Sequence, residues 1–388
     1  MKIGVFTDSY LPYISGVVRS IQTFTDELTN LGHEVFIFAP NYKNCKKETG
    51  VFRFNSIPSP TNRNFTLAFP YSPKFRPTIQ RLNLDLIHVH SPFLLGRLGA
   101  RYARKLNIPL VFTFHTLYDQ YIHYVPFASS FTKELAQKIS RDFCNQCDLV
   151  IVPTHVIGDY LYKIGVRTSI NKIPTGININ AFQGSDPAWL RKRFNINPAD
   201  QVLLFVGRLG QEKNIKFLMK SFFLIHQNIS NSILVLVGGG PDEEELKNYA
   251  NDLGIGQQVI FTGPLPHQQV VNCYAGANMF VFSSLTETQG IVITEAKAAG
   301  LPVVAVGANG VSEMLEHGVD GYLSEPEPVQ FAEKVCRIIN DRTLKDKMSY
   351  HARLNAKKLS SFNCCARLTN CYLELLEKKK MPNSKNSS

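Results

Sequence analysis

The stretch that decides the fold is Thr286-Glu-Thr-Gln-Gly-Ile-Val-Ile-Thr-Glu295-Ala-Lys-Ala-Ala-Gly-Leu-Pro302. The apolar run 279–282 before it predicts a buried strand, and the polar residues 283–289 predict a loop. A helix is expected from Gly290 to Gly300, where the sequence Gly-Leu-Pro ends it. A strand, a short loop and a helix in this order are typical of an α/β protein with a parallel sheet.

Two carboxylates in this stretch, Glu287 and Glu295, indicate what the loop and helix could bind. A glycine at a helix start lets a phosphate approach the free N–H groups of the first turn, which favour anions. We expect Glu287 beside that phosphate and Glu295 roughly two turns deeper along the helix. Because carboxylates accept hydrogen bonds from sugar hydroxyls, the arrangement suits a sugar–diphosphate–ribose ligand. The alternative is a solvated helix with two acids that bind nothing.

Strands and helices alternate along the rest of the chain in two successive halves. This alternation predicts parallel sheets that helices cover on both faces. The predicted strands are 3–6, 34–38, 86–90, 110–114, 149–152, 202–206, 233–237, 259–262, 279–282 and 303–306. The main predicted helices are 17–31, 215–227, 243–253, 290–300 and 366–377, with further helices between 328 and 361.

A length of 388 residues allows two domains, each with its own core. Turn-forming residues cluster at 173–182, so we predict an N-terminal domain at 1–178 and a C-terminal domain at 179–360. A last helix at 361–378 is expected to pack back on the N-terminal domain. Residues 379–388 are basic and rich in Ser and Asn, which predicts a disordered tail.

The composition excludes several classes of protein. Hydrophobic residues make up 44% and charged residues 19%, a soluble globular balance, and no apolar run approaches the length of a membrane span. The chain begins with a short strand followed by Asp8, so no signal peptide is expected. Among the eight cysteines, the pair Cys144 and Cys147 has no second pair or flanking histidines, which favours neither zinc nor a redox pair. A reducing cytosol is the simplest location.

The positive charge is concentrated in the N-terminal half. Residues 1–180 have 20 Lys and Arg against 11 Asp and Glu, so they carry +9 of the total +11. Such an excess predicts an anionic partner surface. The sequence has no zinc-finger or RNA-binding signature, so an anionic lipid surface is favoured over nucleic acid.

Residues 94–106 of this half show a helical arrangement of cations. The cations, which recur at intervals of three and four, are Arg97, Arg101, Arg104 and Lys105. The apolar residues between them are Leu95, Leu98, Tyr102 and Leu106. On a helix these two sets lie on different faces, which suits a helix at an anionic membrane. The alternative is the solvated face of an ordinary surface helix.

Polar residues at strand ends are candidate site residues, because such ends line the ligand crevice of parallel sheets. Arg208 and Lys213 follow the strand that ends at Val206. Their cations suit a diphosphate leaving group, which gains negative charge as the bond to the sugar breaks. A surface pair in a loop is the alternative. Leu265 follows another strand end, where the backbone could bond a base or simply form a turn.

Two residues of the N-terminal half extend this candidate site. Gly16 starts a helix after the first loop and could bring backbone amides near a phosphate from across the cleft. His115 follows a buried strand and is expected to face the crevice, the alternative being a structural histidine in the core. His88 and His90 on one strand could suggest a metal, but no third ligand is near in sequence, so no metal is predicted.

Over nearly its whole length the chain resembles the retaining glycosyltransferases of the GT-B fold, the large family that includes sucrose synthases and phosphatidylinositol mannosyltransferases. The matching motifs are Ser15-Gly16-Val17, Gly207-Arg208 with Glu212-Lys213-Asn214, and Glu287 paired with Glu295. The resemblance is closest to 1,2-diacylglycerol 3-glucosyltransferases, through residues 6–16, 114–124 and 286–290. Many relatives have Phe or Gly at positions 288 and 289, whereas lipid glucosyltransferases often have the Glu-Thr-Gln-Gly found here.

The resemblance implies a fold and a role for each matching residue. The fold is the GT-B architecture, two Rossmann-like doubly wound parallel-sheet domains that face a central cleft. The implied donor-site residues are Arg208 and Lys213 at the diphosphate, Glu295 at the ribose, Glu287, Gly290, Ile291 and His115 at the transferred sugar, and Gly16 at the phosphate. Tyr121 and His123, in the segment shared with the lipid glucosyltransferases, fall on the acceptor side. The family is usually metal-independent and needs no protein nucleophile.

These observations predict a retaining hexosyltransferase that moves glucose or a related hexose from a UDP-sugar to a diacylglycerol-type lipid. We expect it to use no cofactor and to associate peripherally with the cytoplasmic, inner face of a membrane. A soluble or polysaccharide acceptor is the first alternative. A non-catalytic sugar-nucleotide-binding protein is the second, and the joint presence of Arg208, Lys213, Glu287 and Glu295 disfavours it.

Overall fold

The computed structural model describes residues 1–43, 45, 48–59, 65–73, 75–120 and 130–380. These form two compact units, unit 1 from residues 1–176 with the segment that starts at Ser361, and unit 2 from residues 177–360. The boundary between Gly176 and Ile177 falls inside the turn-rich segment 173–182. Each unit has its own parallel sheet and its own buried core.

A seven-stranded parallel sheet forms the centre of unit 1, in the order β3-β2-β1-β6-β7-β8-β9. The strands of the unit are β1 (Lys2–Phe6), β2 (Glu34–Pro40), β3 (Val51–Phe54), β4 (Ser56–Pro58), β5 (Thr66–Ala68), β6 (Leu86–Val89), β7 (Leu110–Thr113), β8 (Leu149–Val152) and β9 (Ile170–Lys172). β4 and β5 form a separate antiparallel pair. The helices are α1 (Gly16–Asn30), α2 (Phe75–Leu82), α3 (Leu94–Leu106), α4 (Ser130–Cys144) and α5 (His155–Lys163).

Unit 2 has a six-stranded parallel sheet in the order β12-β11-β10-β13-β14-β15, the doubly wound order of dinucleotide-binding domains. Its strands are β10 (Gln201–Val206), β11 (Ser232–Val237), β12 (Val259–Gly263), β13 (Met279–Phe282), β14 (Val303–Val306) and β15 (Gly321–Ser324). Its helices are α6 (Trp189–Phe194), α7 (Ile215–Asn228), α8 (Glu243–Asp252), α9 (His267–Gly276), α10 (Ile291–Ala299), α11 (Pro328–Asn340) and α12 (Arg342–Lys358). The central strands are buried along their length because helices cover both faces.

The C-terminal helix α13 (Ser361–Lys380) belongs to unit 1. Leu368 and Tyr372 are buried in the cluster that lines one face of the unit 1 sheet, and the Ser361 hydroxyl bonds to Glu27 of α1. The helix begins at Ser361, where the predicted C-terminal segment 361–378 starts and five residues before the helix predicted at 366–377, because this buried face extends to its first turn. It also includes Lys379 and Lys380, so the prediction that the disordered tail starts at 379 was wrong. The helix extends over these lysines because cations in the last turn of a helix interact favourably with its dipole. Residues 381–388 lie outside the described residues.

Candidate active site

The strand order of unit 2 reverses between β10 and β13, and this reversal defines where a ligand can bind. β10 pairs with β11 on one side and with β13 on the other, so the loops after β10 and β13 start side by side at the carboxyl ends of their strands. A crevice at such a point is the usual ligand site of open α/β sheets. The predicted site residues of the C-terminal half fall mainly in these two loops, 207–214 and 283–290.

An ion pair joins the two loops, from the Lys213 ammonium to the Glu287 carboxylate. Both side chains remain partly accessible, at 15% and 17% exposure, so a ligand can reach them. Lys213 ends a 3-10 turn, residues 211–213, after β10. The structure therefore brings together two residues that lie 74 positions apart in the sequence.

Two serine hydroxyls hold the backbones of the same loops in register. Ser283 donates to the carbonyl of Lys213 at 2.7 Å, and Ser284 donates to the carbonyl of Glu212 at 3.0 Å. Both serines are fully buried. Because the bonds are made to main-chain atoms, they position Lys213 without occupying its ammonium group. These two serines were not predicted as site residues, although two polar residues directly after a buried strand are a signal for this role.

Arg208 lies at the start of the first loop with an exposed side chain. Its positive charge acts on Asp242, just before α8, since Arg208 partly offsets the rise that burial causes in the pKa of Asp242. Arg208 is thus placed towards the end of β11, whereas Lys213 is placed towards the end of β13. The two cations of the candidate site approach it from different sides of the β10 strand end.

Gly290 and Ile291 form the start of helix α10. Gly290 has a φ of +81° and caps the helix, a conformation that favours glycine, and Ile291 is the first helical residue. Gly310 packs against the loop before the helix: its N–H donates to the Glu287 carbonyl at 2.9 Å, and a Cβ on it would lie 1.9 Å from the Thr288 carbonyl oxygen. Close backbone packing thus holds the loop that contains Glu287 in place before the first turn of α10.

Glu295 lies inside α10 and is 4% exposed. The Tyr274 hydroxyl of α9 donates to its carboxylate at 2.9 Å. The prediction that Glu295 lies roughly two turns along the helix was wrong, because residues 287–290 are not helical and the helix starts only at Ile291. Glu295 is one turn from that start. Tyr274 was missed, since an isolated tyrosine in a helix of mixed composition gives no sequence signal.

A buried ion pair anchors the same helix to its own unit. Lys297 contacts Asp320 at 2.6 Å, with side-chain exposures of 5% and 0%. Lys297 also donates to the Met314 carbonyl at 2.8 Å, and Asn355 donates to Asp320 at 2.8 Å. The pair therefore connects α10 to the segment before β15 and to α12. This ion pair was not predicted, because no local sequence pattern links Lys297 to Asp320.

Leu265 lies between β12 and α9, half-buried against the core of unit 2. The neighbouring turns after β11 and β12 meet, since the Gly238 N–H donates to the Gly263 carbonyl at 3.1 Å. Leu265 thus follows the end of β12, which is separated from β13 by the two strands β11 and β10. Its predicted backbone contact with a base stays a prediction.

The sheet of unit 1 reverses its strand order in the same way, between β1 and β6. Asp8, just after β1, accepts a hydrogen bond from the Leu95 N–H at 2.9 Å and another from the Ser91 hydroxyl. It thereby caps the start of α3. Burial raises the pKa of Asp8, while these hydrogen bonds act to lower it. No role was predicted for Asp8 from the sequence.

Gly16 is exposed and is the first residue of α1, after the cap formed by Ser15. The Ser15 hydroxyl accepts from the Val18 N–H at 3.3 Å. A Cβ on Gly16 would meet no atom of the described residues within 4 Å. The backbone around Gly16 is therefore open to approach, as its predicted role at a phosphate requires.

His115 follows β7 and is half-buried at the carboxyl edge of the unit 1 sheet. Its Nε2 is 2.8 Å from Nδ1 of His90, which follows β6. Burial lowers the pKa of His115, so the ring is neutral near pH 7. In the described part of the chain, no three His, Cys, Asp or Glu side chains are grouped to hold a metal ion.

The four cations predicted to lie on one helix face are all on α3, and their side chains are exposed: Arg97, Arg101, Arg104 and Lys105. Leu95 and Leu98 are buried against the sheet, so the two predicted faces of this helix are confirmed. Tyr121 and His123 lie outside the described residues. Within the ranges that the structure describes, no helix is both long and apolar enough to cross a membrane.

Two doubly wound parallel-sheet units with polar residues at their reversal points are typical of the GT-B glycosyltransferases. Comparison with known families gives the same result: residues 189–355 match the family described as glycosyl transferases group 1, and residues 14–181 match glycosyltransferase family 4. The chain belongs to the group 1 family of GT-B glycosyltransferases.

Similar proteins extend over almost the whole chain. It is 31% identical to the alpha-monoglucosyldiacylglycerol synthase of Streptococcus pneumoniae, covering 97% of this chain and 89% of that protein. It is 30% identical to the protein of the same name from Acholeplasma laidlawii, covering 97% and 98%. The sulfoquinovosyl transferase of Arabidopsis thaliana is 28% identical over 92% of this chain and 70% of its own.

Two solved structures are similar to this chain in fold. HepE of Anabaena in complex with UDP is similar with a TM-score of 0.79 and 21% identity, over 96% of this chain and all of that one. The sucrose-phosphate synthase of Thermosynechococcus elongatus has the same TM-score at 20% identity, over 97% and 99% of the two chains. At these identities the likeness supports the fold.

Proposed function

We propose that this glycosyltransferase moves glucose, or a related hexose, from a UDP-sugar to a diacylglycerol-type lipid, with retention of configuration. The observation that carries the proposal is the Lys213–Glu287 pair beside the start of α10, in a chain about 30% identical to two monoglucosyldiacylglycerol synthases over most of its length. The bound UDP in the HepE complex supports the choice of nucleotide.

The donor takes its place along the carboxyl edge of the unit 2 sheet. Lys213 and Arg208 bind the diphosphate together with the N–H groups at the start of α10, which favour anions. Glu295, held by Tyr274, accepts from the ribose hydroxyls, and Glu287 accepts from a hydroxyl of the transferred sugar.

Transfer then proceeds by attack on the same face of the sugar that the diphosphate leaves. The acceptor hydroxyl oxygen bonds to the anomeric carbon, the bond from that carbon to the phosphate oxygen breaks, and the departing phosphate takes the hydroxyl proton. Lys213 and Arg208 stabilise the negative charge that develops on the leaving group. This charge stabilisation makes a metal unnecessary, so we propose metal-independent transfer.

The lipid acceptor rests on the two monoglucosyldiacylglycerol synthases and on the charge of unit 1. The relatives also include a D-inositol 3-phosphate glycosyltransferase and a GDP-mannose-dependent alpha-mannosyltransferase, at 30% and 28% identity over smaller shares of this chain. These relatives favour a soluble acceptor or another nucleotide sugar as the second candidate function.

A product assay separates the two candidates. The full chain is incubated with radiolabelled UDP-glucose and mixed liposomes that contain diacylglycerol, with excess chelator in one arm, and the lipids are extracted and chromatographed. We expect a labelled glucolipid in both arms, and UDP-galactose and GDP-mannose to be poorer donors. Label that stays in the water phase in a soluble glycoside would refute the lipid acceptor. Loss of product with chelator would refute metal independence.

We further propose that the exposed cations of α3 hold the enzyme peripherally at an anionic, cytoplasmic membrane face. Each cation near an anionic bilayer contributes roughly 1 kcal/mol, and salt screens the attraction. We expect sedimentation with liposomes that contain anionic lipid, release at high salt, and loss of binding when the four cations of α3 become Ser. Equal sedimentation with neutral liposomes, or no effect of the substitutions, would refute this.

A matched control removes the same charge from unit 2. The exposed cations substituted by Ser in this control are Lys192, Arg193, Lys347 and Lys357. It should sediment like the unaltered chain, because the substituted residues lie outside the proposed surface. Weakened binding in the control as well would mean that total charge, and not α3, directs the protein to the membrane.

A further inference from the structure

A row of side chains, joined by hydrogen bonds and by one contact between two histidine rings, runs through the core of unit 1 to His115. The Tyr372 hydroxyl of α13 is 2.6 Å from Nδ1 of His88, and Nε2 of His88 is 2.7 Å from the Thr113 hydroxyl. The His88 and His90 rings lie 4.2 Å apart, and Nδ1 of His90 is 2.8 Å from Nε2 of His115. These five side chains come from two neighbouring strand segments and the C-terminal helix.

Strand geometry explains why they meet. Side chains two residues apart point to the same face of a sheet, so His88 and His90 share a face, as do Thr113 and His115. β6 and β7 are parallel neighbours, with His88 opposite Val111. Both pairs therefore belong to the face that α13 covers, where Tyr372 is fully buried. The polar side chains satisfy one another in a core that is otherwise apolar, as buried polar groups must.

The contact between His90 and His115 restricts where protons can be. Burial lowers the pKa of His88 to about 3 and that of His90 well below its ordinary value, so both are neutral near pH 7. A hydrogen bond between two neutral imidazoles needs one protonated and one unprotonated nitrogen at the contact. Nδ1 of His90 and Nε2 of His115 must therefore have opposite protonation, and the tautomer of one ring determines that of the other.

We propose that His90 is a positioning residue that fixes the tautomer and ring orientation of His115. Tyr372 and Thr113 hold the His88 ring, His88 packs against His90, and His90 bonds to His115. The inference rests on the proposed function, in which His115 contacts the transferred sugar. In that reaction His115 must offer a donor or an acceptor at a defined ring atom, and a bond to the other nitrogen decides which one.

The test reads protonation directly, without a donor or an acceptor present. The full chain is labelled with 15N-histidine, and long-range proton–nitrogen spectra identify the tautomer of each ring, with His115→Asn to assign its signals. We expect His90 and His115 each in a single tautomer, with opposite protonation at the contacting nitrogens. Averaged tautomers for both rings in the unaltered chain would overturn the proposal, whatever the variants do.

Variants of His90 then connect the tautomer to turnover. His90→Phe keeps a ring but removes the bond, so we expect altered His115 signals and a kcat about tenfold lower with little change in the KM for the UDP-sugar. His90→Asn places an amide near the position of Nδ1, so we expect its kcat to recover much of the activity that His90→Phe loses. Normal kcat and unchanged His115 signals in His90→Phe would overturn the proposal.

Two controls separate the role of His90 from a general effect of core substitutions and from the proposed role of His115 in transfer. Ser140→Ala removes a buried hydroxyl from α4 whose hydrogen bond, among the described residues, is to Ala136 of the same helix, and it should change neither the His115 signals nor kcat. His115→Ala tests the proposed function itself. Unchanged transfer in that variant would refute the role of His115 at the sugar, while the spectra of the unaltered chain would still decide whether His90 sets its tautomer.

Discussion

Removal of the Asp320 carboxylate should destabilise unit 2 more than any change in its loops. Asp320 is fully buried and accepts from Lys297 at 2.6 Å, from Asn355 at 2.8 Å and from the Glu316 N–H at 2.9 Å. Asp320→Ala leaves the Lys297 ammonium buried, with the Met314 carbonyl as its remaining hydrogen-bond partner among the described residues. Breaking a buried pair by removing one partner costs about 3–5 kcal/mol.

The loss is measurable because the single tryptophan, Trp189, lies in unit 2. Urea unfolding followed by its fluorescence should show the free energy of unfolding of unit 2 reduced by about 3–5 kcal/mol in Asp320→Ala. The double variant with Lys297→Met should lose less, since no unpaired charge stays buried. Glu244→Ala, which breaks an exposed ion pair with Lys247, should leave the midpoint unchanged.

The refuting result is a small effect. A loss below about 1 kcal/mol in Asp320→Ala would mean that water or a rearranged neighbour compensates the Lys297 charge, although the Lys297 side chain is buried. A double variant less stable than Asp320→Ala would mean that Lys297 contributes through its Met314 bond and not through its charge. In either case α10 would not depend on the pair for its place in unit 2.

Three further predictions concern the site. Glu295→Gln should weaken UDP binding in calorimetry, because it loses charge-assisted bonds to ribose, whereas Glu287→Gln should lower turnover more than UDP affinity; equal affinities would refute the division of roles. Lys213→Ala should lower kcat about a hundredfold with unchanged circular dichroism, and near-normal turnover would refute its role. Burial lowers the pKa values of His88 and His115 to about 3 in the folded chain, below the unfolded value, so the stability that they contribute is present above pH ~6.5 and is lost as the pH falls towards 3. Thermal unfolding of unit 1 between pH 7 and 5 tests this, and a melting temperature that stays constant would refute it.

The strands of the sheets could be predicted from sequence because their burial is uniform. β8, β13 and β14 begin and end where the apolar runs Leu149–Val152, Met279–Phe282 and Val303–Val306 do, since a strand covered on both faces needs apolar residues throughout. β3 and β15 were not predicted. Residues such as Arg53 and Gly321 interrupt the apolar pattern of these edge strands, which have a partner on only one side.

The polar contacts of the site were harder to predict than its residues. Glu287 and Lys213 were each recognisable from a local motif, yet nothing local shows that they form an ion pair. Tyr274 and Asp320 were missed altogether, because each acts on α10 from a distant position in the sequence. A helix can be read from a window of neighbouring residues, whereas a tertiary hydrogen bond depends on which strands become neighbours.

The order of the strands supplies that missing information, and it does so in the same way in both units. In unit 2 the reversal places the loops after β10 and β13 side by side, so Lys213 meets Glu287. In unit 1 the reversal places the ends of β1 and β6 side by side, so Asp8 meets the start of α3. The same topology thus gives different results: an accessible ion pair open to a ligand in unit 2, and a buried helix cap in unit 1. The strand order decides where polar residues can meet, and the residue types at those ends decide whether the meeting place binds a ligand or stabilises the fold.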